Sequence, residues 1–310
     1  MKVSREASRG GKQMAKSATA SASDVRVRRK KEGQFSLVMK RLSKNKIAMT
    51  GLVIILILFL LAILSPWFMP YKYDAMNMME RFQGPSLAHL CGTDDMGRDI
   101  FSRLLYGARA SLSLGFLATI ISTVLGMIIG SIVGYFGGIV DTVVMRLVDI
   151  LQAIPGILLA IAISACLGSG FMNTVIALSI GGIPMTVRLL RGSIMGVRKM
   201  EYLEAAQTIN CSVPRTIIKH ILPNSISPII VSVTMGIGNT ILMAASLSYI
   251  GLGVQPPTPE WGAMLSAART YMRDYPHMVL FPGIAIALVV LSLNMLGDGL
   301  RDALDPKLKQ

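Results

Sequence analysis

Residues 47–64, IAMTGLVIILILFLLAIL, run for 18 positions without a charge. Water cannot solvate such a stretch as a loop, and it approaches the ~20 apolar residues that carry a helix across ~30 Å of hydrocarbon. Pro66 and Trp67 follow, then Tyr71 and Tyr73, aromatic residues of the kind that gather where a span leaves the hydrocarbon. Further apolar runs occupy about residues 112–135, 147–167, 172–190, 225–247 and 278–296, the third with a kink expected at Pro155. The pattern predicts an all-α polytopic membrane protein with six transmembrane helices.

Composition agrees: the chain is 52% hydrophobic and 15% charged over 310 residues, the balance of a protein whose surface meets lipid. The net charge of +14 is concentrated, because 14 of 31 lysines and arginines fall in residues 1–46. A Ser/Ala/Lys/Arg-rich segment is expected to stay disordered, and directly before a span it serves as a positive-inside anchor. It lacks the folded basic surface and interleaved aromatics of a nucleic-acid module, so no nucleic acid is expected as partner. Its length also argues against reading the first run as a cleaved leader.

Six spans place both termini on one side, and the tail makes that side the cytoplasm. The 188–219 loop shares it, with Arg188, Arg191, Arg198, Lys199, Arg215 and Lys219 against Glu201 and Glu204. Segments 66–108 and 251–277 then face outward. The chain divides into a basic tail (1–46), the first span with an outer segment (47–108) and a five-span core (109–310). In the second span Gly126, Gly130 and Gly134 recur every fourth residue, clearing one helix face for close approach of another helix.

Most chemistry is absent. No G-x-x-x-x-G-K-[ST] loop occurs, so the chain does not itself cradle ATP, and no H-E-x-x-H occurs. His89, His220 and His277 are isolated, and Cys91, Cys166 and Cys211 have no disulfide or metal spacing. GTDDMGRD at 92–99 lacks calcium-loop spacing and reads as structural. No catalytic residue, cofactor or metal is expected in this chain. Asp141, Arg146 and Asp149 sit at the expected cytoplasmic end of the third span, and the span middles carry no charge, which weighs against ion-coupled transport.

Residues 199–224 interrupt this apolar pattern. Tyr202, Ala205, Ala206 and Ile209 recur at helix spacing, and the two alanines let another surface come close. Asn210 suits the left-handed turn that ends a helix. Ser212 can cap a second helix with Pro214 in its first turn, and Pro223 is expected to end it at the membrane. The spacing fits two readings: an amphipathic helix lying among headgroups, or one docked on a partner.

The passage resembles the EAA loop of ABC-importer permeases, with Glu204, Ala205, Ala206, Leu222 and Pro223 at its positions. Asn210 stands where the family has Gly, and His220 where the general pattern has Ile. Residues 92–112, 134–155, 247–265 and 293–306 resemble the C-type permease subunit of dipeptide, oligopeptide and nickel importers. The resemblance implies a type I importer permease fold. Its partners would be a second, unlike (B-type) permease subunit, two cytoplasmic ATPases that hold ATP and magnesium, and an extracytoplasmic substrate-binding protein. It further implies that the helix with Tyr202, Glu204, Ala205 and Ala206 is a coupling helix seated on an ATPase, with Asn210, Leu222 and Pro223 completing the interface. The solute would be a di- or oligopeptide, with nickel or another small solute as the alternative.

Overall fold

The computed structural model describes residues 34–208 and 210–304; the basic tail before residue 34, Ile209, residues 305–310 and the side chains of Gln34, Phe35, Leu37, Glu204, Ala205, Ala206 and Gln207 lie outside it. The described residues form helices and no strand. They are α1 (Gln34–Leu42), α2 (Lys46–Phe68), α3 (Ile100–Phe136), α4 (Gly138–Ala153), α5 (Gly156–Leu167), α6 (Phe171–Val197) and α7 (Glu201–Thr208). α8 (Val213–Thr216), a π turn (Ile217–Ile221), α9 (Leu222–Ser225), α10 (Ser227–Tyr249), α11 (Trp261–Ala268) and α12 (His277–Leu304) follow. The segment read as unstructured tail thus contains α1. Phe35, Val38, Met39 and Leu42 fall at i, i+3, i+4 and i+7, and an apolar stripe of that spacing favours a helix.

Five helices are long and apolar enough to span a membrane: α2, α3, α6, α10 and α12. The expected third span is instead two helices, α4 and α5, meeting at 89°. Pro155 explains the break, since its ring pushes the preceding residue out of the helical region, and Ile154 is extended at φ −88°, ψ 125°. The pair nevertheless carries the chain across once. α3 and α6 are parallel: Cβ atoms added at Gly126 and Gly134 would meet Thr186 and Ile194, so the two numberings rise together. A chain leaving one end of α3 must return before starting α6. α10 runs against α3, and α12 against α10 and α2, so the bundle holds six traverses.

One end of the bundle is closed by polar fastening. α3 has 37 residues, about 55 Å, and its first turns lie in this cap rather than among the spans. Asp99 caps α3, accepting from the Ser102 backbone N–H at 2.7 Å, and also meets His89 Nδ1 at 2.9 Å. Asp94 accepts from Arg98 Nε at 2.7 Å and from the backbone N–H groups of Met96 and Arg98, so the GTDDMGRD stretch is structural. Pro66 supplies no N–H for the Ala62 carbonyl, and Arg109 Nε donates to that oxygen at 2.7 Å. Glu260, fully buried, caps α11 through Gly262 and Ala263 and accepts from Ser111 Oγ at 2.9 Å, tying the 251–268 segment to α3.

Candidate functional site: the loop between α6 and α10

At the opposite end the chain leaves α6 at Val197 and does not enter α10 until Ser227. The intervening residues hold to the bundle through one apolar cluster. Leu203 from α7 and Ile221 from the π turn are 2% and 1% exposed, packed with Leu190, Ile194 and Val197 of α6 and Ile229 of α10. Glu201, Tyr202 and Thr208 are exposed. α7 is therefore pinned by its one buried leucine and presents the rest of its described surface outward. The sequence reading named Tyr202, Ala205, Ala206 and Ile209 as the apolar face and passed over Leu203; its pairing with Ile221, a residue 18 positions later, has no local signature.

The turn after α7 adopts the conformation expected of it. Asn210 has φ +55°, in the left-handed region that Asn tolerates better than most side chains. Ser212 occupies the cap position of α8, but its hydroxyl makes no cap bond; its carbonyl accepts from the Thr216 N–H at 2.9 Å instead. Pro214 lies in the first turn, as expected.

Pro223 behaves otherwise than expected. It does not end the second helix: the register widens before it, with the Leu222 N–H bonded to the Ile217 carbonyl, and α9 carries Pro223 in its first turn. A proline inside a regular helix leaves a carbonyl unpaired and clashes with it, and one π turn absorbs both faults. Leu222 is half-buried against the apolar cluster and Pro223 is exposed. Tyr202 hydrogen-bonds the side chain of Asn224, joining α7 to α9; partial burial raises the phenol above its ordinary value, and this bond opposes the rise.

Arg188 and Arg191, expected in the loop, lie on α6. They reach α4: Arg191 donates to both carboxylate oxygens of Asp141 through Nε and Nη2, and Arg188 Nη2 donates to Asp149 at 2.6 Å. α6 thus links the loop to the bent pair on one side. On the other it packs on the glycine face of α3, where Gly126, Gly130 and Gly134 are all buried. Among the described residues no three His, Cys, Asp or Glu side chains converge as metal ligands would.

The architecture is a helical bundle with a loop rooted in one buried apolar cluster and with Glu201 and Tyr202 exposed. Comparison with known proteins places it. A family model described as "binding-protein-dependent transport system inner membrane component" matches residues 126–310, and one described as "N-terminal TM domain of oligopeptide transport permease C" matches residues 33–85. The dipeptide transport system permease protein DppC of Alkalihalophilus pseudofirmus is 49% identical over 270 residues, covering 87% of this chain and 89% of the relative. The glutathione transport system permease protein GsiD of Escherichia coli O6:K15:H31 is 48% identical over 276 residues with the same coverage. A solved structure of the MetNI methionine ABC transporter in an inward-facing conformation shares the fold, with a TM-score of 0.55 at 17% identity over 66% of this chain and 98% of that one.

Proposed function

The chain belongs to the family of binding-protein-dependent transport system inner membrane components, and from that premise we propose that it is the C-type permease subunit of an ATP-driven importer of di- or oligopeptides. The observation that carries the mechanism is the seating of the loop: Leu203 and Ile221 share one buried cluster with α6 and α10. A force applied to α7 would reach two spans through that shared cluster. Partner ATPases, which bind ATP and magnesium, would grip α7 with Tyr202, Glu204, Ala205 and Ala206 at the contact, on the cytoplasmic side. Asn210 sets the angle of the turn, and Leu222 and Pro223 pass the movement into α10. Closure of the ATPases then shifts the permease between two states, and only their differential contact with α7 drives the shift. A second, unlike permease completes the pathway, and a substrate-binding protein meets the capped end formed by segments 69–99 and 251–276.

A bulky side chain on the docking face tests this. Ala205→Trp should abolish peptide uptake by the reconstituted complex and release the ATPases during purification, while the chain still inserts in the membrane. Normal transport with the ATPases retained would remove the coupling role from α7.

A further inference from the structure

Midway along the bundle α3, α6 and α10 do not close on one another. They leave a cavity of about 210 Å³, bounded also by Gly156 at the start of α5. The wall is unusual for mid-span: Ser122, Thr123, Ser232, Asn239 and Thr240 line it, with no carboxylate, ammonium, guanidinium or imidazole. Some of these groups are satisfied within the bundle. Thr119 Oγ1 donates to Thr240 Oγ1 at 3.0 Å, which in turn donates to the Gly236 carbonyl at 2.9 Å. Others are not, and Thr123, Ser232 and Asn239 make no side-chain hydrogen bond with the described residues. The contrast lies on α10 itself, where Thr234 and Ser246 turn back onto carbonyls one turn earlier.

Asn239 stands near the middle of α10 and is exposed. An amide left unpaired against hydrocarbon is strongly unfavourable, so such a group belongs beside water or a polar solute. The same wall is kept hollow by small residues: a Cβ at Gly181 would meet nothing within 4 Å, and one at Gly236 only the far end of Thr119. The break between α4 and α5 opens at the same level, with residues 152–156 exposed. Interrupted backbone at membrane depth is tolerated where it lines a hydrated cavity or is covered by protein.

We propose that this cavity is the chain's own contact surface for the solute in transit, and that it recognises peptide amides by neutral hydrogen bonds, with Asn239 the principal contact. The inference rests on the permease reading above and adds the substrate-facing residues to it. A hydroxyl and amide wall exchanges hydrogen bonds with the backbone of a peptide whatever its side chains are. It holds no fixed charge that would retain a zwitterion, and passage requires binding weak enough to let go.

The test uses the complete complex in proteoliposomes, with radiolabelled dialanine and glutathione as uptake probes. In a chain carrying Cys166→Ser and Cys211→Ser, the substitutions Asn239→Cys and Ser232→Cys should each react with a charged, membrane-impermeant methanethiosulfonate. Gly181→Leu, whose Cβ would meet no atom within 4 Å, should suppress that reaction and lower uptake by about tenfold or more, as expected of a pore narrowed at its wall. Asn239→Leu should lower uptake about fivefold, the equivalent of one net hydrogen bond. Gly283→Leu, a second open glycine away from the cavity, should leave both readouts unchanged. Absence of labelling at both positions, or uptake undiminished by Gly181→Leu, overturns the inference. Labelling of both cysteine variants, with the parent complex moving neither probe, overturns peptide as the solute of a hydrated wall.

Discussion

Asn210 and Pro223 show how differently two single residues translate into backbone. At Asn210 the choice is local: a short amide side chain tolerates φ +55°, and the turn forms where the sequence places it. At Pro223 the local rule allows several remedies, and the neighbouring residues select one, a π turn over Ile217–Ile221 in place of a helix end. Cys91 offers a direct check at this scale. Burial, reinforced by the charge of Asp99, pushes its thiol up to about 11. The neutral thiol is the form the fold favours, so its contribution to stability is complete below the ordinary thiol value and is lost as pH climbs through about 11. Alkylation needs the thiolate, of which only about one part in a thousand is present at pH 8. N-ethylmaleimide at pH 8 should therefore modify the exposed Cys166 and the half-buried Cys211 while sparing Cys91, with Cys91 reacting faster as pH rises. Mass spectrometry of the labelled chain reads this, and equal modification of Cys91 and Cys211 at pH 8 would contradict it.

Among the elements, α3 and α6 form the pair whose contact was most plainly written in the chain. Glycines at positions 126, 130 and 134 mark one face of a helix, and that face meets α6. A methyl group added at Gly126 would lie 2.5 Å from Thr186 Cβ, a distance that requires the helices to part. Gly126→Ala should lower stability by about 1–3 kcal/mol, the usual penalty of overpacking, and appear as a lower Tm in detergent. Gly196→Ala on α6, where a Cβ meets nothing within 4 Å, should not lower it. The bend between α4 and α5 was legible only as a kink. Pro155 accounts for the break, but the 89° angle goes with the partners the two halves find: Asp141 and Asp149 of α4 pair with Arg191 and Arg188 of α6, and α5 packs against that same helix.

For the whole molecule the register of the contacts gives an orientation that charge alone makes directional. Six traverses put the start of α2 and the end of α12 at the same end as the loop over α7, and we propose from the distribution of lysine and arginine that this end is cytoplasmic. Alkaline phosphatase fused after residue 304 should be inactive in cells, and the same reporter inserted near residue 85, in the capped segment, should be active; the reverse pattern would invert the topology. Segment 69–99 is tied down by Asp94, Asp99 and Arg103, so an insertion there should go at Gly84, where the surroundings are open.

Five of the six expected spans, the helix-turn-helix rhythm of the loop, the glycine face and the left-handed turn were settled by the chain itself, because each depends on residues within one or two helical turns. The tertiary structure decided the rest. Leu203, which the helix spacing did not single out, pins α7, since its partner Ile221 is brought to it only when both meet the end of α6. Thr123 of α3 lies more than a hundred residues from Ser232 and Asn239 of α10, and the three share one wall only where those helices face each other. Local periodicity governs which side of a helix is apolar; which polar group shares a cavity with which is a property of packing between segments distant in sequence.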